Sequence, residues 1–291
     1  MERNIRRIFS WFIKLTFLLV AFFAVYFYIS DNSIKGDYYY RMAKSLEDRN
    51  TSATYEVVKY YKKAIASYKG ANDVEGAVDS YINLALLHYS LGNYLQVEQS
   101  VLSAMEFGEE KIPDEAKVKV YLLLASTQEP QKSKEYIKKS LEISERNGFN
   151  ILTAQAYFLL GKTNEYKAEF EDAERNYLKA VNVVKNFANI STEFNAGELY
   201  ERLGELYAGG GQIDKAIEFY KEALSYNLEG ERGFVTANYM KILGDLYKEK
   251  RDMAMACHMW IESKKEYAFF GAEAPFSVSN INSSGYCINL G

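Results

Sequence analysis

The residues that could do chemistry in this chain are few, and the most suggestive of them is a lysine flanked by small residues. Gly161-Lys162-Thr163 matches the end of a phosphate-binding loop, GxxxxGK[ST], in which backbone amides and a lysine hold phosphates. Ala156 stands where the first glycine of that loop is required, and the surrounding sequence is helical rather than a strand-to-helix loop. We therefore interpret Gly161 as a small packing residue, followed by two exposed residues of a helix.

The other reactive side chains are scattered. The only histidines, His88 and His258, lie far apart in sequence, and His88 occupies a position that favours a packed ring. Cys257 and Cys287 are the only cysteines and lack the CxxC spacing of a metal or redox site. Since no nucleophile stands beside a base, we expect no catalytic residue, no enzyme activity, no cofactor and no metal.

The composition indicates an ordered, helix-rich protein with an acidic body. Of the 291 residues, 48% are apolar and only three are proline, which argues against disorder. Residues 1–29 hold four basic residues and one acidic residue, which leaves 31 basic and 38 acidic residues elsewhere, a net charge of −7. A body of that charge excludes the basic footprint of a nucleic-acid-binding protein.

The strongest pattern lies in GELYERLGELYAGGGQIDKAIEFYKEALSYNLEG, from Gly197 to Gly230. Small residues recur where two helices must approach closely, rings surround them, and three glycines mark a tight turn. The stretch resembles a tetratricopeptide repeat (TPR), and the residues that match family positions 4, 7, 8, 11, 20, 24 and 27 are Tyr200, Leu203, Gly204, Tyr207, Ala216, Tyr220 and Ala223. The resemblance implies an antiparallel helix pair and a protein that binds other proteins.

Weaker copies of this pattern flank it. Family position 8 falls at Ala43, Ala85, Ala125, Gly161, Gly204 and Gly244. We therefore predict an all-α fold, a TPR helix-pair superhelix (α-solenoid) of about six repeats over residues 38–270, behind one transmembrane helix. Residues 30–37 are predicted to form a polar connector. Residues 271–291, rich in Ser, Asn and Gly, are predicted to be a disordered tail.

The N-terminal segment predicts the membrane anchor. Residues 8–29, IFSWFIKLTFLLVAFFAVYFYI, are long enough to cross roughly 30 Å of hydrocarbon as a helix. Arg3, Arg6 and Arg7 predict a cytoplasmic N-terminus, residues 1–7, with the body across the membrane. We expect a bacterial inner-membrane protein with a periplasmic body, or alternatively a mitochondrial membrane protein. A cleaved signal peptide is the competing interpretation, but Tyr26 to Tyr28 are bulky where such a site needs small residues.

Together these features predict a membrane-anchored TPR scaffold or adaptor that mediates protein–protein interaction on the non-cytoplasmic side. The alternatives are a mitochondrial TPR adaptor or receptor, and a peptide-binding sensor. In the TPR family, positions 2, 5, 9 and 12 line the concave surface; here they include Tyr89, Lys162, Glu165, Glu201, Glu205, Lys241, Asp245 and Lys248. The glutamates depart from the Lys/Arg/Asn clamp of repeats that bind C-terminal carboxylates. A solvated face without a partner is the other interpretation of these residues.

Overall fold

The computed structural model describes residues 2–49, 54–187, 194–229, 233–272 and 287. Over those residues the fold is all-α, with twelve α-helices, one short 3₁₀ helix and no strand. The chain divides into two compact units, unit 1 at Met1–Glu129 and unit 2 at Pro130–Gly291. The predicted all-α helical-repeat architecture is confirmed for the described residues.

Unit 1 contains α1 (Glu2–Asp48), α2 (Thr54–Ala71), α3 (Val74–Ser90), α4 (Tyr94–Met105), the 3₁₀ helix (Glu109–Lys111) and α5 (Asp114–Thr127). α1 packs against α2, with Ala43 and Tyr61 fully buried between them. Near the end of α2, a Cβ on Gly70 would lie 3.2 Å from the side chain of Asn32. Because the two helices are antiparallel, the turns of α1 that precede Asn32 extend past the end of α2.

The N-terminal prediction needs correction. Residues 8–29 do not form a separate element, because α1 continues through the predicted connector 30–37 to Asp48, where its later turns are charged and pack on α2. In the part of the chain that the structure describes, no helix has the length and apolar character needed to cross a membrane. The predicted single-pass localisation, whether bacterial or mitochondrial, is therefore wrong, and the transmembrane helix is not supported.

The described part of unit 2 contains seven helices of similar length. They are α6 (Pro130–Asn147), α7 (Asn150–Tyr166), α8 (Phe170–Asn186), α9 (Ala196–Gly209), α10 (Ile213–Glu229), α11 (Phe234–Glu249) and α12 (Met253–Phe269). Within unit 2, α7 pairs with α8, α9 with α10 and α11 with α12. We call the first helix of each pair its A helix and the second its B helix.

Each of these pairs closes on a glycine of the A helix. A Cβ added to Gly161, Gly204 or Gly244 would lie 2.3–2.7 Å from a ring atom on the B helix, which no real contact allows. The rings are those of Tyr177, Tyr220 and Trp260. The glycines predicted at family position 8 are therefore the points where the paired helices come closest.

Local signals fix the helix ends. Asn195 caps α9 by accepting a hydrogen bond from the Glu198 backbone N–H, and Asp252 caps α12 in the same way. The turn between α9 and α10 uses Gly211 at a φ of +70°, a conformation that favours glycine. The predicted glycine turn thus joins the two helices of the strongest repeat.

The end of the chain is joined to unit 2 by a bond that the sequence did not indicate. Cys287 forms a disulfide with Cys257 of α12, and both sulfurs lie in the apolar core. Of the predicted disordered tail, residues 271–272 and Cys287 are described, whereas residues 273–286 and 288–291 lie outside the described residues.

Candidate partner-binding face

Seven of the eight predicted partner-binding residues lie on the A helices of unit 2. Lys162 and Glu165 are on α7, Glu201 and Glu205 on α9, and Lys241, Asp245 and Lys248 on α11. The eighth, Tyr89, is on α3 of unit 1, where it is 40% exposed and contacts Tyr94 edge-to-face with ring centroids 5.8 Å apart. We call the seven residues, with Glu198 and Arg202 of α9, the A-helix face of unit 2.

Ion pairs connect neighbouring A helices across this face. Lys162 Nζ lies 3.2 Å from Glu198 Oε1, which links α7 to α9. Arg202 Nη1 lies 3.1 Å from Glu205 Oε2 and 3.9 Å from Glu165 Oε1, which adds a second link between the same helices. Glu198 and Arg202 were not among the predicted residues. Glu198 stands at family position 2 and was identifiable by its spacing, whereas Arg202 stands at position 6 and was not.

Buried ring donors from other helices hold three carboxylates of the face in place. Two of the donors are tyrosine hydroxyls from side chains at most 2% exposed, and the third is an indole N–H. The hydrogen bonds are Tyr177 Oη to Glu165 Oε2 at 2.6 Å, Tyr239 Oη to Glu201 Oε2 at 2.8 Å, and Trp260 Nε1 to Asp245 Oδ1 at 3.0 Å. Each carboxylate is therefore oriented by a donor that cannot move without disturbing the core.

The same tyrosine–glutamate arrangement occurs in unit 1. The hydroxyl of Tyr61, a fully buried residue, donates to Glu47 Oε2 at 2.6 Å. Counted from the small residues that flank them, Tyr61 and Tyr177 occupy the same repeat position. Glu47 and Glu165 likewise occupy the same position as each other. The bond therefore occurs in more than one helix pair of the chain.

The part of the face on α11, the last A helix, consists of an ion pair and an exposed lysine. On α11, Lys241 Nζ lies 2.7 Å from Asp245 Oδ2, so Asp245 accepts from both a lysine and Trp260. Lys248, one turn later, is exposed.

Burial and neighbouring charge shift several pKa values on the face. Burial raises the pKa of Glu205, and the adjacent Glu201 and Glu165 raise it further against the opposing effect of Arg202. Burial also lowers the pKa of Arg202, but the surrounding carboxylates outweigh that effect and the net pKa is raised. The pKa values of Tyr177 and Tyr239 are raised, first by burial and then by their bonds to Glu165 and Glu201. These hydroxyls therefore stay protonated and remain donors at neutral pH.

The structure places the Gly161-Lys162-Thr163 motif within the helix α7. Lys162 pairs with Glu198 and its ammonium lies 5.3 Å from the centre of the Phe158 ring. Thr163 was expected to be exposed, which is wrong: it is 7% exposed, donates to the Leu159 carbonyl and lies 3.3 Å from Ser133 Oγ. Because the motif lies inside α7, it offers no loop of backbone amides to a phosphate.

The side chains of the face supply charged and hydrogen-bonding groups. No group of three or more His, Cys, Asp or Glu residues suited to a metal ion occurs within the described residues. The absence of a metal, a cofactor and a catalytic residue remains a prediction from the sequence.

Comparisons with known proteins support the repeat. Residues 197–229 match the family model described as "Tetratricopeptide repeat". The chain contains a tetratricopeptide repeat. The match coincides with α9 and α10, the helix pair with the strongest sequence pattern. No curated protein matches the chain by sequence.

Solved structures extend the likeness to most of the chain. BtubC (BKLC) from P. vanneervenii is 20% identical with a TM-score of 0.59, over 87% of this chain and 94% of that one. PilF from Pseudomonas aeruginosa is 10% identical with a TM-score of 0.59, over 88% and 99%. A signal transduction ATPase from Pyrococcus horikoshii, described as having a TPR sensor, is 17% identical with a TM-score of 0.58, over 87% and 42%. These likenesses show a TPR-like fold and nothing about function.

Proposed function

We propose that this chain is a TPR scaffold that binds a protein or peptide partner on the A-helix face of unit 2 and catalyses no reaction. The observation that carries the proposal is the set of buried ring donors that orient Glu165, Glu201 and Asp245. A recognition surface whose charges are already fixed loses less side-chain entropy on binding than one whose charges are free. The TPR-like fold supports the same conclusion, because it places such residues side by side on successive A helices.

The charge pattern defines the kind of contact. Acidic and basic side chains are mixed on the face, and several pair with each other, so a partner must bring both charge signs to replace those pairs. Glu205 and Lys248 are the exposed groups through which such a partner makes its first contacts. Exposed interface charges affect mainly the rate of association and the register of the bound segment.

A peptide sensor, the alternative that the sequence allows, requires an enclosed pocket. A cavity of about 380 Å³ is present in unit 1, and the described residues that line it, such as Tyr55, Lys59 and Lys62, all lie on α2. A surface formed by one helix does not enclose a peptide, so this cavity does not support the sensor.

Site-specific photo-crosslinking tests the proposal in cells that express the full chain. A photoreactive residue placed at Lys248 should crosslink a partner, because this position ends the A-helix face. The matched control is Arg175 on the B helix α8, whose side chain is 66% exposed and pairs with Asp172 of the same helix.

A second substitution, Glu205→Lys, tests whether the Lys248 crosslink depends on the A-helix face. The yield of the Lys248 crosslink should fall sharply when Glu205→Lys is added, whereas that of any Arg175 crosslink should be unchanged. Equal crosslinking from both positions, or a Lys248 yield that Glu205→Lys leaves unchanged, would place partner binding on another surface.

A further inference from the structure

The two cysteines of this chain form a single buried cross-link. Cys257 is fully buried on α12 and Cys287 is 6% exposed, and their sulfurs are bonded across a sequence separation of 30 residues. The sequence contains no other cysteine, so neither residue has an alternative partner within the chain.

The cross-link lies next to the packing that supports the A-helix face. Cys257 precedes Trp260 by three residues, which places both on neighbouring parts of the same side of α12. Trp260 fills the space over Gly244 of α11 and donates to Asp245. Ser263, one turn further, donates to the Ala237 carbonyl at 2.7 Å and joins α12 to α11 again.

We propose that the Cys257–Cys287 disulfide is a structural cross-link, which forms by oxidation of the two thiols, holds Cys287 in the core of unit 2 and stabilises α12. Two protein thiols react with one molecule of a disulfide oxidant such as oxidised glutathione. One protein disulfide and two reduced glutathione thiols result, so the protein sulfurs are oxidised, the glutathione is reduced, and the two thiol hydrogens pass to glutathione. This inference does not depend on the proposed function.

The burial of the two sulfurs determines how fast a reductant breaks the disulfide. A reductant reaches Cys257 only after local opening of the core, so reduction of the folded protein should be slow. A cross-link that closes a loop of this size restricts the unfolded chain and stabilises the folded one. For a unit of this size, loss of the bond should lower the melting temperature by roughly 5–15 °C.

The first test measures the bond in the full-length wild-type protein. The protein is purified in reductant, transferred to a mixture of oxidised and reduced glutathione, and analysed by intact mass and by maleimide labelling after denaturation. We expect a monomer that is two hydrogens lighter than the reduced chain and takes up no maleimide. Two labelled thiols, glutathione adducts on the cysteines, or disulfide-linked dimers would each overturn the proposal.

The second test measures the effect of the bond on stability. Wild-type protein should melt at a lower temperature after reduction, whereas Cys287→Ser should melt at the same temperature with and without reductant. An oxidised wild type that loses no stability on reduction, or an equal shift in the variant, would contradict the anchoring role. Should the variant fail to fold, the wild-type thiol count and its melting shift still decide the question.

Discussion

The hydroxyl of Tyr177 shows how a single atom orients a residue of the A-helix face. Tyr177→Phe keeps the ring over Gly161 but leaves Glu165 without its buried donor. We expect a loss of about 1–2 kcal/mol in the free energy of unfolding, measured by urea denaturation. The matched control is Tyr166→Phe, one residue after Glu165 and 80% exposed, which should change stability by less than about 0.5 kcal/mol. Equal effects of the two substitutions would contradict a role for the hydroxyl.

Tyrosine ionisation predicts a limit to stability at alkaline pH. Burial, together with bonds to Glu145 and Glu174, raises the pKa values of Tyr157 and Tyr207 to about 12. Because the folded pKa values exceed the unfolded value of 10.0, this contribution to stability is complete below pH 10 and is lost as the pH rises through about 12. Tyrosinate absorbance and urea denaturation at pH 8 to 12 measure both effects. Titration of all tyrosines near pH 10 in the folded protein would contradict this account.

Residue types were easier to predict than residue contacts. Repeat spacing identifies Tyr177 and Tyr220 as core rings, and both are buried. Spacing does not show which carboxylate accepts a hydrogen bond from a given hydroxyl, because that depends on the rotamer and on the offset between neighbouring helices. The bond from Tyr239 to Glu201 therefore could not be read from the sequence.

At the scale of helices, the close approach of each pair at a glycine makes a sharp prediction. Gly204→Ala places a Cβ about 2.7 Å from the Tyr220 ring and must displace α9 or α10, so we expect a cost of about 1–3 kcal/mol. Gly209→Ala at the end of the same helix meets no atom within 4 Å. It should be neutral or stabilise by up to about 1 kcal/mol, because alanine restricts the unfolded chain.

Thermal and urea unfolding of the two variants side by side measure this difference. A Gly204→Ala protein as stable as Gly209→Ala would mean that the helices of this pair do not meet at Gly204. The larger Gly204→Leu should cost more than the alanine, since the added atoms also need space in the closed pair.

The elements themselves were partly predictable. Helix pairs could be placed because small residues at fixed spacing reflect a steric requirement that acts within about thirty residues. The continuity of α1 was missed, since Asp31, Asn32, Ser33 and Gly36 are residue types typical of turns. In the structure the helix continues through them, and Gly36 packs against the Tyr68 ring of α2. The bond between Cys257 and Cys287 left no local signal, because it joins two positions that only the folded chain brings together.

For the molecule as a whole, the structure changes how partner binding should be tested. Reversing Glu201 removes the acceptor of Tyr239, so Glu201→Lys should cost about 1–3 kcal/mol of stability and affect binding indirectly. Glu205 is more exposed than Glu201. Among the described residues its carboxylate pairs with Arg202 and accepts no hydrogen bond from a buried ring. Glu205→Lys should therefore leave folding nearly unchanged, which urea denaturation of both variants checks. Comparable losses in the two proteins would show that Glu205 also supports the core.

The dissociation constant of the crosslinked partner is the most direct test of the A-helix face. Glu205→Lys should weaken binding roughly tenfold, because a lysine there repels the cationic group that a partner brings to Glu205. Glu218→Lys, the same charge change at an exposed position of the B helix α10, should leave the constant within about twofold. Equal dissociation constants for wild type and Glu205→Lys, with both proteins fully folded, would contradict the assignment of partner binding to this face.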